Sequence, residues 1–273
     1  MPLTGGATEA ERTTLVPPMA ERGRFNAREF PYWFVAIIGI LGWMLILILT
    51  NDQYGKAWDA IIPGLTTTIA ATLYAFGIAV VIGMIAGLGR ISRNVVSRNV
   101  AITYIEFVRG VPILVLIFTV AFVVVPQLSG VFGFSNQSVT PFTRAVSALA
   151  IIYGAYLAEV FRAGIESVPK GQMEAGRSLG LSYGQTLRRI IMPQAIRNMT
   201  PALGNDLIAM LKDSSLLSVL GVREITQQGR LYASSTFQFR PTYLVLTFLY
   251  LSMTLVFSLL LRWYRSRLGL DDA

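Results

Sequence analysis

Six apolar runs in one short chain confine it to a narrow set of folds. They lie at residues 32–50, 63–88, 102–125, 145–164, 201–220 and 243–263. A helix crossing the ~30 Å hydrocarbon core of a bilayer needs about 20 mostly apolar residues, and each run reaches that length. Composition agrees: 53% of the residues are hydrophobic and 14% charged, where soluble domains carry about a quarter charged. The expectation is an all-α integral membrane protein with six transmembrane helices. The short connections make one membrane domain.

Charge placement orients the spans. Lys and Arg collect in the loops on the cytoplasmic side. Arg22, Arg24 and Arg28 precede the first run, and Arg90, Arg93 and Arg98 lie between the second and third. Lys170, Arg177, Arg188, Arg189 and Arg197 lie between the fourth and fifth, and Arg262, Arg265 and Arg267 end or follow the sixth. Six crossings put all four groups on one side, with both termini in the cytoplasm. The net charge of +8 therefore reads as a topology signal, not a nucleic-acid footprint. No cleavable leader is expected, because the first apolar run lacks a small-residue cleavage site. Without Cys or His, disulfides, thiol chemistry, histidine relays and His-ligated metals are excluded. None of the three lysines, Lys56, Lys170 and Lys212, completes a phosphate-binding GxxxxGK[ST] loop. ATP, if it drives this chain, binds elsewhere.

The stretch KGQMEAGRSLGLSYGQTLRRIIMPQAI, residues 170–196, interrupts this apolar background. Pro169 suits the start of a helix and Gly180 its stop. Ser182, three residues before Gln185, is a capping-box signature for a second helix. Leu187, Ile190 and Ile191 share one side of it, and Pro193 ends or kinks it. The result is a helix–turn–helix elbow. Its first limb has small side chains, Ala175 beside Gly176, and one acid, Glu174. An amphipathic loop on the headgroups is the alternative. The two arginines of the second limb fit that, whereas the glycines of the first favour docking on a protein.

The segments GQMEAGRSLGLS and IIMPQA resemble the EAA loop of the permease subunits of bacterial ATP-binding-cassette importers. The pattern falls on Glu174, Ala175, Gly180, Ile190 and Pro193, with Gly176 in place of the second Ala. EFVRGVPILV (106–115), AYLAEVFRAGIESVPKGQ (155–172) and LKDSSLLSVLGVREI (211–225) resemble the polar amino-acid, histidine/glutamine-type branch of that family. The resemblance spans roughly residues 64–263. It implies a five-span type I importer core with one extra N-terminal span and a cytoplasmic coupling helix. The corresponding parts are a disordered cytoplasmic tail (1–29), a first span with its external connection (30–62), a permease core (63–264) with coupling loop 167–196, and a cytoplasmic C-terminal tail (265–273). Gly171, Glu174, Ala175, Gly176, Leu179 and Gly180 would meet the ATPase. The implied partners are two cytoplasmic ATPase subunits, a second permease chain and an extracytoplasmic amino-acid-binding protein. ATP and Mg would sit on the ATPase, with no cofactor on this chain, in the bacterial cytoplasmic membrane.

The fifth run, PALGNDLIAMLKDSSLLSVL, carries Asn205, Asp206, Lys212 and Asp213. Each charge near a helix centre costs ~2.5–3.5 kcal/mol, so this helix should not face lipid. At 100° per residue the four side chains fit an arc of about 120°. Two readings stay open: a path for a zwitterionic amino acid, or an internal ion pair holding spans together. The path candidates are Asn205, Asp206, Lys212, Asp213 and Ser214, with Glu159 and Thr68 beside them. Glu159–Arg162 and Glu106–Arg109 have pairing distance along a helix, and Thr66–Thr68 can bond their own backbone. GMIAG (83–87) reads as close helix packing or a subunit seam. In the outer loops, 126–144 and 221–241, Arg223, Glu224, Arg230 and Arg240 are candidate contacts for the binding protein.

Three functions compete. The first is the permease subunit of an ATP-driven importer of polar amino acids, with no catalysis of its own. The second is a carrier driven by an ion gradient, with Glu159, Asp206 and Asp213 carrying H⁺ or Na⁺. No repeat between the halves supports it. The third is a membrane-embedded enzyme, but Asp206 and Asp213 lie about 10 Å apart along one helix.

Overall fold

The computed structural model describes residues 32–131, 133 and 139–267, and the regular elements among them are all helical. The expected tail 1–29, with Arg22, Arg24 and Arg28, and residues 268–273 of the expected C-terminal tail lie outside the described residues. α1 (Tyr32–Thr50) is followed by α2 (Asp52–Ile61), and a 3₁₀ turn (Ile62–Gly64) leads into α3 (Leu65–Arg90). α4 (Val95–Gly110) and α5 (Ile113–Thr119) come next, with a π turn (Val120–Val124) joining α5 to α6 (Val125–Val131). α7 (Pro141–Glu166), α8 (Lys170–Ser178) and α9 (Tyr183–Thr186) follow. A second π turn (Leu187–Ile191) joins α9 to α10 (Met192–Asp213), which continues as a 3₁₀ segment (Ser214–Leu220) before α11 (Ile225–Thr236) and α12 (Phe239–Arg267).

The chain divides into two compact units, 1–40 and 41–273. Of the first, residues 32–40 form the opening turns of α1, where the rings of Trp33 and Phe34 meet edge-on at 5.8 Å.

Among the described residues, five stretches are long and apolar enough to cross a membrane: Tyr32–Thr50, Asp52–Arg90, Ile113–Val131, Pro141–Glu166 and Phe239–Arg267. α10 stands where the fifth run was expected and is long enough, but its polar residues keep it out of that set. The third run was expected as one helix over 102–125. Instead the chain breaks between α4 and α5, because Pro112 forces Val111 out of the helical region, to φ −111 and ψ 139. The outer connection is also shorter than expected, since the helix runs on to Val131.

Pro193, expected to end or kink its helix, does not end it, and the helix also continues through Pro126, where the outer loop was expected to begin. Pro126 and Pro193 each follow a π turn. Val125 and Met192, the residues just before them, bond five residues back to the carbonyls of Val120 and Leu187. The wider turn absorbs the ring and lets the helix continue. Arg144 Nη1 donates to the Ala121 carbonyl at 3.0 Å, inside the first π turn. As a result α9, its π turn and α10 form one continuous helical run from Tyr183 to Asp213.

α7 is the central post. Ala145, Ala148, Leu149, Ile152, Ala155, Leu157 and Ala158 are all fully buried, the mark of a helix surrounded by others. α3 lies against it at close range. A Cβ on Gly83 would sit 2.7 Å from Leu157 Cβ, and one on Gly87 2.8 Å from the Ala158 carbonyl oxygen. The GMIAG seam is therefore internal, between α3 and α7. One apolar cluster joins α3, α5, α7, the elbow, α10 through Met199 and Met210, and the 3₁₀ continuation through Leu217. A second joins Ile48 of α1, Tyr54, Ala57 and Ile61 of α2, Leu211 of α10, Ile225 of α11 and Val245 and Leu249 of α12. Neighbouring residues 210 and 211 thus anchor α10 in both clusters.

Gly83→Leu should destabilise the fold by about 1–3 kcal/mol, since the added side chain meets a neighbouring helix at once. Gly77→Ala, with nothing within 4 Å of its Cβ, should be neutral or slightly stabilising. Thermal melts of the detergent-purified variants check both.

Candidate functional site

The elbow begins with Pro169 at the N-cap of α8, at φ −54 and ψ 134. Its end is a Schellman turn. Gly180, at φ +82, donates to the Arg177 carbonyl at 3.0 Å, and Leu181 donates to Gly176 at 3.2 Å. Only glycine holds that φ without strain. The capping box at Ser182 is formed: Gln185 N donates to Ser182 Oγ at 3.3 Å, and Ser182 N donates to Gln185 Oε1 at 2.8 Å. Met173, Leu187 and Ile190 pack against the main core. The Arg93 guanidinium lies 5.4 Å from the centre of the Tyr183 ring. This contact brings the basic connection after α3 to the same end of the bundle as the elbow.

Gly171, Glu174 and Ala175 share the exposed face of α8, and Leu179 beyond its end is 80% exposed. Gly176 departs from expectation. It is buried against the second limb, where a Cβ would lie 2.5 Å from Thr186 Cγ2 and 2.9 Å from Ile190 Cδ1. Its small size closes the elbow on itself and is not presented to a partner. That explains Gly in place of the second Ala of the pattern.

A charge network lies at the same end of the bundle. Glu159 of α7 pairs with Arg90 at the end of α3 and with Arg162 at 3.0 Å. Arg162 also pairs with Glu166, and Arg90 reaches Glu106 at 3.5 Å. The expected Glu159–Arg162 pair is therefore present, within a larger set. Glu106, expected to pair with Arg109, turns to Arg90 because α4 leans across the end of α3. As a path candidate, Glu159 is already held by two arginines. With Arg162, Ser167, Asn198 and Ala202 it lines a cavity of about 480 Å³ between α7 and α10.

Along α10, Asn205 and Lys212 are exposed and Asp206 and Asp213 half-buried. Among the described residues, none of Asp206, Lys212 and Asp213 has an ion pair. Asp213 Oδ2 instead accepts from the Tyr153 hydroxyl of α7 at 2.8 Å. Two expected path residues are committed elsewhere. Thr68 is fully buried, donating to the Gly64 carbonyl at 3.1 Å and accepting from Ile225 N at 3.2 Å. Ser214 is fully buried and donates to the Leu211 carbonyl at 2.7 Å. The sequence reading missed Tyr153. A tyrosine inside an apolar run was the available signal, because a buried phenol needs a partner.

At the opposite end, Glu224 is fully buried rather than a surface contact. It caps α11, accepting from Thr226 N at 2.8 Å, Gln227 N at 2.7 Å and the Tyr250 hydroxyl at 3.1 Å. Burial pushes its carboxyl above the usual range, partly offset by these hydrogen bonds. Arg223, Arg230 and Arg240 are exposed.

Residues 79–270 match the family model described as "binding-protein-dependent transport system inner membrane component". The chain is 40% identical over 206 residues to the probable amino-acid permease protein YxeN of Bacillus subtilis, covering 75% of this chain and 89% of the relative. It is 36% identical over 219 residues to the glutamine transport system permease protein GlnP of Escherichia coli, covering 79% and 97%. A solved structure described as an amino acid ABC transporter with histidines matches with a TM-score of 0.68 and 38% identity, over 81% of this chain and 98% of that one.

Glu224 gives a pH prediction. Its folded-state pKa lies above the unfolded value, so its contribution to stability is full below the unfolded pKa. That contribution is lost as pH rises through the folded pKa. The melting temperature of Glu224→Gln relative to the unmodified chain should therefore rise with pH over that window and then level off. Melts across a pH series check the slope, which any constant offset leaves untouched.

Proposed function

The chain belongs to the binding-protein-dependent transport system inner membrane component family, and from that premise we propose that it is the permease subunit of an ATP-driven importer of polar amino acids. A transport subunit of this kind carries no catalysis of its own. Similarity to amino-acid permeases over three quarters of the chain supports the substrate class. Family membership also removes the ion-gradient carrier as a reading.

In this account the elbow is the coupling element. The observation that carries it is the exposed face of α8, where Gly171, Glu174 and Ala175 stand beside the solvent-facing Leu179. Small residues let a partner backbone approach, one acid gives it a polar contact, and Leu179 offers an apolar knob. Gly180 fixes the turn behind them. Two cytoplasmic ATPase subunits, binding ATP and Mg, would each take one such elbow. Closure of the ATPase pair has a higher affinity for ATP than the open pair, and that difference drives the permease between outward- and inward-open states.

The continuous run from Tyr183 to Asp213 would transmit elbow movement to the middle of the membrane. Counting α10 with its 3₁₀ continuation gives six spans, with both termini cytoplasmic. The open polar stripe Asn205–Lys212 would face a second permease chain across a shared path, where Lys212 takes the substrate carboxylate and Asp206 and Asp213 its ammonium. A binding protein would deliver the amino acid on the opposite face, at Arg223, Arg230 and Arg240.

Glu174→Arg tests the coupling role. In a reconstituted complex the ATPase should no longer co-purify, and ATP-dependent uptake should fall at least tenfold, while the amount of chain inserted stays unchanged. Unchanged uptake with Glu174→Arg contradicts the proposal.

A further inference from the structure

Tyr153 carries a hydroxyl that packing does not require. Its side chain is 4% exposed on the most buried helix of the fold, next to Ile152 and near Ala150 and Ala155, which are essentially fully buried. Phenylalanine would fill that place at lower cost, since a buried phenol must find an acceptor or lose free energy. The acceptor is Asp213 Oδ2, at 2.8 Å and 60 residues away. The Tyr153 ring is itself held, with Tyr156 tilted against it at 5.9 Å between centroids.

The kind of donor matters. A cation at this place would offset the Asp213 charge and weaken its attraction for a ligand ammonium. A phenol, neutral below about pH 10, takes one lone pair and leaves the charge. An ionised carboxylate offers about four acceptor sites, so most of its capacity stays open on the half-exposed side. Lys212 is the next residue, but neighbours on a helix point about 100° apart, and the two form no ion pair. Asp213 also sits where α10 gives way to a 3₁₀ segment, so its own backbone turn holds it less firmly than a helix interior would. An outside group has to set its direction.

We infer that Tyr153 is a positioning residue for amino-acid import: it orients the Asp213 carboxylate so that its free oxygen receives the substrate ammonium. The inference rests on α10 lining the substrate path. Tyr153 does not touch substrate and acts only through Asp213.

The test uses the complete complex of permease, ATPase and binding protein in proteoliposomes. L-glutamine, L-arginine and L-glutamate are screened, and the one giving the largest stimulation of ATP hydrolysis is used throughout. Tyr153→Phe should raise the concentration for half-maximal stimulation about tenfold, with the maximal rate within about twofold. Asp213→Asn should raise it at least as much, and the double variant should be no worse than Asp213→Asn alone, because both act at one point. Effects that multiply in the double variant overturn the inference. So does a lowered melting temperature for Tyr153→Phe with an unchanged half-maximal concentration, which marks a purely structural tie. If Asp213→Asn and Lys212→Met both leave that concentration unchanged, the path itself is wrong and the inference falls with it. If Asp213→Asn raises it and Tyr153→Phe does not, only the positioning role fails.

Discussion

Charges without ionic partners cannot face hydrocarbon, and this fold is arranged around a helix that carries three of them. Asp206, Lys212 and Asp213 would each cost roughly 2.5–3.5 kcal/mol at the middle of a lipid-facing helix. α10 avoids that by standing against α7, whose small and fully buried residues let neighbours crowd close. Its two apolar anchors, Met210 and Leu211, fix it to separate clusters, leaving Asn205 and Lys212 exposed and Asp213 against Tyr153. In the proposed function the polar stripe faces a water-filled path shared with a second permease chain.

The elbow follows from the same helix. Because the π turn accommodates Pro193, α9 and α10 are mechanically one piece. Lys212 lies about 30 Å from Met192 at 1.5 Å per residue. In the proposed function a push on the elbow would reach the charges along this one helical run, which carries Pro201 in its interior. Gly176 closes the first limb onto Thr186 and Ile190, so α8 and the second limb move together. The network of Arg90, Glu159, Arg162 and Glu166 sits where α3, α7 and the elbow converge.

Much of this was legible in the residues. Apolar periodicity located most spans, and the capping box and Gly180 turn were found where the sequence placed them. The capping box and the turn are local signals, depending on groups within five residues of each other. The reading failed where burial and the choice among competing hydrogen-bond partners decide. Thr68 was offered for the path with backbone bonding as its alternative, and the alternative holds; Ser214 looked available but is consumed by a backbone carbonyl. Glu224 looked like a surface acid but caps a buried helix end. Gly176 looked partner-facing because periodicity alone does not reveal which side of a short helix its own chain covers. A π turn ahead of Pro126 and of Pro193 keeps each helix going, and composition carries no mark of it.

The central claim is that one face of α10 meets water in the middle of the membrane. The chain has no cysteine, so single cysteines can be introduced without removing any. Each would be placed at 205, 210, 211 or 212 and probed with a small water-soluble thiol reagent in the assembled transporter, with and without a non-hydrolysable ATP analogue. Positions 205 and 212 should react, with rates that change when nucleotide binds, while 210 and 211 stay protected. Protection of 205 and 212 in both states, or equal reaction at all four positions, would contradict the account.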